Sequence, residues 1–194
     1  MNKQCVQWTD ELPRRIFNMN KIILDTNVPA KAAVAPELCP AEELKMQKAC
    51  MEYIGELTKN KDKKLVLDLD HEIWKEYHTN VYGNSNMGKI FFKWLYEYYA
   101  TILPEDNIKL HKDSEGKYQE FPYDEDTQEF DESDKKFVAL SNAHQEKPPI
   151  IEAADGKWLG YEKSFAKYGI HIQFLDKDYA QKMYEQKILN KRAD

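Results

Sequence analysis

The chain has 194 residues, 42% of them hydrophobic and 32% charged, with a net charge of −6, which suits one soluble domain with a sizeable core and some extra length. No apolar run approaches the roughly 20 residues that cross a bilayer. Asp10, Glu11, Arg14 and Arg15 break up the stretch where a signal peptide would carry its apolar core, so a cytoplasmic location is expected.

Residues 1–20 read as an arm or short helix ahead of a domain spanning 21–194. Lys21-Ile-Ile-Leu-Asp25 is a short apolar run ending in an acid, the pattern of a buried strand. Pro40 and the glutamates after it open a helix to about Lys59, with Leu44, Cys50, Tyr53, Ile54 and Leu57 near helical period. Leu65–Leu69 is a second strand. Asp70 is placed to cap a helix over His71–Val81, and an aromatic helix follows over Lys89–Leu103. Residues 82–130 form a helical and acidic insert, irregular from 105 onward, with a turn at Asp113-Ser-Glu-Gly116. Asp131-Glu-Ser-Asp134 leads a helix to His144. Ile150–Ala153 is a third strand, Trp158–Lys167 a helix, Ile170–Leu175 a strand and Asp176–Lys191 a closing helix. Strands alternating with helices predict an α/β fold with a mainly parallel central sheet.

Three cysteines (Cys5, Cys39 and Cys50), with no CxxC pair and no histidine at zinc spacing, argue against a disulfide framework or structural zinc. Any metal is then expected on oxygen ligands, which favours Mg²⁺ or Mn²⁺. The acidic balance counts against a simple binder of nucleic acid over a broad surface. It counts less against a site in which a cation neutralises clustered carboxylates.

Active sites of open α/β sheets lie at the carboxyl ends of the strands. Asp25 closes the first strand and Asp155 follows the strand Ile150–Ala153. Asp134 shares a helix face with Phe137, Val138 and Ser141, so it sits at the top of an inward face, where an acid needs a partner. Asp131 is available as a further ligand. Glu76 borders the apolar stripe of its helix, and Glu72, one turn earlier, competes with it. With 34 Asp and Glu in the chain, each position alone has a structural explanation; their joint order carries the argument.

That order resembles the PIN domain family of nucleases. The matching pieces are Ile22-Ile-Leu-Asp25-Thr-Asn27, Ile73-Trp-Lys-Glu76-Tyr77, Asp131-Glu-Ser-Asp134-Lys-Lys-Phe137-Val138 and Ile150-Ile-Glu-Ala-Ala-Asp155, which together span roughly residues 21–175. In the last piece the family has Thr or Ser shortly before the acid, where this chain has Ala153 and Ala154. The resemblance implies a three-layer α/β/α fold. It implies that Asp25, Glu76, Asp134 and Asp155, with Asp131, hold Mg²⁺ or Mn²⁺ and that the protein hydrolyses phosphodiester bonds, RNA being favoured through the family alone. Toxins of toxin–antitoxin pairs are among its members, so an antitoxin-like partner or a homo-oligomer is an expectation. Asn27, Lys31, Lys135 and Lys157, with Lys136 beside them, are the candidate substrate contacts. The competing readings are a PIN-like DNA nuclease, a non-catalytic PIN-like interaction module and, with little support, a phosphatase on a similar scaffold.

Overall fold

The computed structural model describes residues 20–193, so the expected arm, apart from Asn20, lies outside the described residues. In chain order the elements are β1 (Lys21–Leu24), α1 (Asn27–Ala33), α2 (Leu44–Leu57), β2 (Lys64–Leu65), β3 (Leu67–Asp68), α3 (Glu72–Asn80), α4 (Asn86–Tyr99), β4 (Asn107–Ile108), α5 (Lys135–Ala143), β5 (Ile150–Glu152), α6 (Gly156–Ala166), β6 (Ile172–Phe174) and α7 (Lys177–Ala193). Short 3-10 turns precede α2 and β4.

Four strands make an all-parallel sheet in the order β2-β1-β5-β6. Successive side chains of a strand point to opposite faces. Ile22, Ile23 and Leu24 of β1, and Ile150 and Ile151 of β5, are all essentially fully buried. Both faces of the central strands are therefore covered, as a parallel sheet requires, and the α/β expectation holds. From β1 the chain moves outward to β2; from β5 it moves the other way to β6. The crevice between β1 and β5 is thus the topological switch point, where α/β sheets build their sites.

The strand expected at Leu65–Leu69 changes partner midway. β2 pairs with β1, the Val66 amide still donates to the Ile22 carbonyl at 2.8 Å, and β3 pairs instead with β4. The acidic stretch after residue 104 therefore contains a strand that its composition hides. It also contains the expected turn, closed by the Gly116 amide on the Asp113 carbonyl at 3.1 Å, with Gly116 at φ 81°.

The helices follow from their apolar stripes and caps. Met46, Cys50, Ile54 and Leu57 recur at helical spacing on α2 and are buried. α4 begins earlier than Lys89 because Ser85 Oγ accepts the Gly88 amide at 3.0 Å. Gly88 also has to be glycine, since a Cβ there would lie 2.1 Å from the Tyr82 carbonyl oxygen. The expected cap at Asp70 is corrected by two residues, to Asp68. The buried Asp68 carboxylate takes the amides of Glu72 at 2.7 Å and Ile73 at 2.9 Å, whereas Asp70 points outward to Lys109. A carboxylate on those amides satisfies donors at the start of α3 that have no intrahelical partner.

The two acids accordingly separate in a mutational test. Asp68→Ala is expected to lower unfolding free energy by about 1–2 kcal/mol, and Asp70→Ala to leave it nearly unchanged. Urea denaturation of the two variants measures the difference; equal effects would return the cap to Asp70.

Candidate active site

Four chain segments converge at the carboxyl ends of β1 and β5. The Asp25 amide continues the sheet by donating to the Ile151 carbonyl at 2.9 Å, and Asp25 Oδ1 accepts the Asn27 amide at 2.8 Å as the chain turns into α1. Asp155 caps α6 by accepting the Lys157 amide at 2.8 Å. Gly156, next to it, allows α7 to pack close: a Cβ there would sit 2.6 Å from the Tyr184 amide nitrogen. Asp134 occupies the N-cap position of α5, and Asp131 shapes the loop before it by accepting the Ser133 amide and hydroxyl at 3.0 and 2.7 Å. Glu76 is carried in on α3, which is fastened to the end of β1 by the Tyr77 hydroxyl donating to the Leu24 carbonyl at 2.6 Å.

Asp25, Glu76, Asp134 and Asp155 all line one open cleft of about 400 Å³. Thr26, Asn27, Asn80, Ser133 and Lys157 complete its polar wall. Glu72 does not enter it. Its carboxylate is taken by Lys112 at 2.7 Å and the Tyr118 hydroxyl at 2.5 Å in a neighbouring recess, which Glu76 also lines, so of the two glutamates Glu76 is the one that faces the cleft.

One participant was not anticipated from the sequence. The β1–β5 register sets Leu24 beside Ile151, and one step further places Asp25 beside Glu152. Glu152 is fully buried. Its Oε1 accepts the amides of Ala154 at 3.2 Å and Asp155 at 3.0 Å, and Oε2 is buried with no partner as a bare carboxylate. Burial pushes both the Asp25 and Glu152 carboxyls above the usual carboxylate range, and for Asp25 the adjacent Glu152 is the next largest cause. Two carboxyls this close and away from water each disfavour the other's ionisation. The sequence signal was present, since Pro149-Ile-Ile-Glu152-Ala-Ala puts a charge inside an apolar run of a strand buried on both faces.

The outer acids are neutralised differently. The Lys157 ammonium lies 2.7 Å from Asp131, 3.6 Å from Asp134 and 3.7 Å from Asp155. Burial opposes its charge, but the three aspartates outweigh this and hold its pKa above the ordinary lysine value. Asp131, hydrogen-bonded to Lys157 and Ser133, is held down to about 2. Asp134 is pushed up by burial, against the pull of Lys157. Lys187 reaches Asp155 at 3.2 Å. Among the described residues, no group of three or more His, Cys, Asp or Glu side chains is arranged to hold a metal ion. The acids at the cleft are all oxygen donors, the ligand class that hard divalent cations take, and the Lys157 ammonium lies among the outer three. The Thr26 hydroxyl, also buried and without a partner, adds a further free oxygen at the cleft.

The remaining predicted contacts divide. Asn27 is exposed at the cleft, and Lys157 is among the acids themselves. Lys31, paired with Glu43 at 2.5 Å, lines an adjoining recess of about 260 Å³ that also meets Asn27, Glu152 and Asp155. Lys136 is tied to Glu76 and to the Ser133 carbonyl. Lys135 is 1% exposed and does not reach the cleft, which corrects its place among the substrate contacts. Its ammonium binds the Gln128 carbonyl at 3.0 Å and Glu132 at 2.5 Å and lies over the rings of Phe121 and Tyr123, anchoring the acidic segment. No described helix is long and apolar enough to cross a membrane. Comparison with known protein families, with curated proteins and with solved structures finds no match to this chain.

The raised carboxyls give a pH dependence of defined sign. An acid whose folded pKa lies above its unfolded value contributes stability below the ordinary carboxylate range, about 4. That contribution is lost as pH rises toward the folded pKa. In chelator, Asp25→Asn should therefore be more stable than the parent at neutral pH, with the gain shrinking toward pH 4. Thermal unfolding across that range checks it; a gain that grows in acid would contradict a raised Asp25 carboxyl.

Proposed function

We propose that this protein is a PIN-like, metal-dependent nuclease that hydrolyses phosphodiester bonds, with RNA as its substrate. The observation that carries the reading is the meeting of Asp25, Glu76, Asp134 and Asp155 in one open cleft at the switch point of a parallel sheet. These residues are up to 130 positions apart in sequence (155 − 25). The preference for RNA comes from the family resemblance alone, and the same cleft serves a DNA nuclease equally well.

In this reading Asp25, Asp134 and Asp155 hold Mg²⁺ or Mn²⁺ directly or through water. The bound ion supplies an activated water and stabilises charge that develops on the phosphate. The chain's own groups do the positioning. Asn27, whose amide already fixes Asp25, faces the cleft and orients either that carboxylate or the scissile phosphate. Glu76, steadied by Lys136, orients the attacking water. Lys157, which lines the same cleft, would contact a substrate phosphate there.

A second reading rests on the same lysine. Lys157 set among three aspartates is a built-in counter-ion, the arrangement expected of a PIN-like module that binds a partner protein and no metal.

Incubation with matched RNA and DNA strands, with Mn²⁺ and with chelator, decides among these. Cleavage of RNA that stops on chelation is the expected result, with Asp25→Asn losing at least about 100-fold in rate while keeping its fold by circular dichroism. Cleavage of DNA alone would move the substrate class. Full activity of Asp25→Asn would remove the carboxylate centre from the mechanism.

A further inference from the structure

We infer that Glu152, rather than the ring of outer aspartates, is the direct partner of Asp25 that would hold the divalent cation at the β1–β5 switch point. This rests on the metal-dependent reading above and narrows it, leaving Asp134 and Asp155 to act through water.

Three geometric observations support it. The parallel register sets Glu152 directly beside Asp25 at the ends of the two central strands. Glu152 is completely buried, and one of its oxygens is already spent on the Ala154 and Asp155 amides, which fixes the side chain's direction. The other oxygen, Oε2, has no partner. An acid with a locked orientation and a free inner oxygen is costly to keep in a sheet for packing alone, since an apolar residue would serve better there.

The outer acids are already engaged. Asp131, Asp134 and Asp155 surround Lys157, and Asp155 also meets Lys187. Glu76 is paired with Lys136. Among the described residues no lysine pairs with Asp25; its side chain accepts the Asn27 amide and lies against Glu152. Mg²⁺ commonly binds through one or two carboxylates and keeps several waters. A pair is therefore enough for it, although no trio is arranged to hold an ion. Access is available on two sides, because Asp25 lines the larger cleft, Glu152 lines the adjoining recess, and Asn27 and Asp155 border both. Ala153 and Ala154, small and buried, leave the inner end of that recess uncrowded.

The test is calorimetric titration of Mn²⁺ into the full chain and into Glu152→Gln, Glu152→Asp and Asp134→Asn, with unfolding temperatures measured in Mn²⁺ and in chelator. Glu152→Gln is expected to weaken Mn²⁺ binding by at least about tenfold and to lose the rise in unfolding temperature that Mn²⁺ gives the parent. Asp134→Asn should bind with less than half that loss. Should Glu152→Gln not fold, Glu152→Asp, whose shorter arm retracts the oxygen, is expected to bind more weakly than the parent. Parent-like affinity and the same Mn²⁺-dependent rise in a folded Glu152 variant would overturn the inference while leaving the nuclease reading intact. Binding that depends on Glu152 without any cleavage of RNA or DNA would sustain the inference and sink the nuclease reading. No Mn²⁺ binding by the parent chain would sink both.

Discussion

A carboxyl group at the end of a strand buried on both faces has few stable states. It can hold a proton, bind a cation, or force the surrounding structure open. Asp25 is in that position, and its neighbour across the parallel register is a second buried acid, Glu152. Hydrogen bonds from the Asn27, Ala154 and Asp155 amides soften the cost of burial but do not remove the contact between like groups. Much of the local architecture is organised around that unresolved charge. The tight turns after β1 and β5 supply the amides, and α1 and α6 start where those turns end.

The second tier of acids shows the other way of managing the same problem. Asp131, Asp134 and Asp155 stand nearer to solvent and share one ammonium, that of Lys157, with Lys187 also reaching Asp155. A lysine is a monovalent, mobile cation on a long stem. It offsets part of the cluster's charge without fixing a coordination geometry, so the cleft stays open and polar. The deep pair and the shallow trio thus differ in kind: among the described residues no lysine or arginine pairs with the first, and the second carries Lys157.

The fold was readable because its signal is periodic. The apolar runs at Lys21–Leu24 and Ile150–Glu152, separated by helical stripes, lead directly to a parallel sheet with acids at its carboxyl ends. What was not readable came from contacts between segments distant in sequence. Asn107–Ile108 is a strand only because β3 has turned away from β1 to meet it. Asp68 caps α3 in place of Asp70 because β3 buries it at the right depth, and depth is a tertiary property. Lys135 looked like a phosphate ligand from its place beside Asp134, but the 121–132 segment folds over it. Glu152 was passed over for a related reason. Attention to the acid that ends the motif, Asp155, obscured the acid inside the strand, whose meaning depends on which strand lies next to it.

The two tiers also account for how an acidic chain accommodates a phosphate-bearing substrate in the proposed role. A free carboxylate ring would repel a polyanion over several ångströms, and salt would screen that only in part. Here the inner acids are buried and each disfavours the other's charge, and the outer acids are partly offset by Lys157 and Lys187. The field at the mouth of the cleft is therefore set less by the net charge of −6 than by these local pairings. A divalent cation entering such a site would offset two of the remaining negative charges. Attraction for phosphate would then appear only with the metal bound, which couples substrate affinity to the ion through electrostatics alone and needs no rearrangement of the sheet.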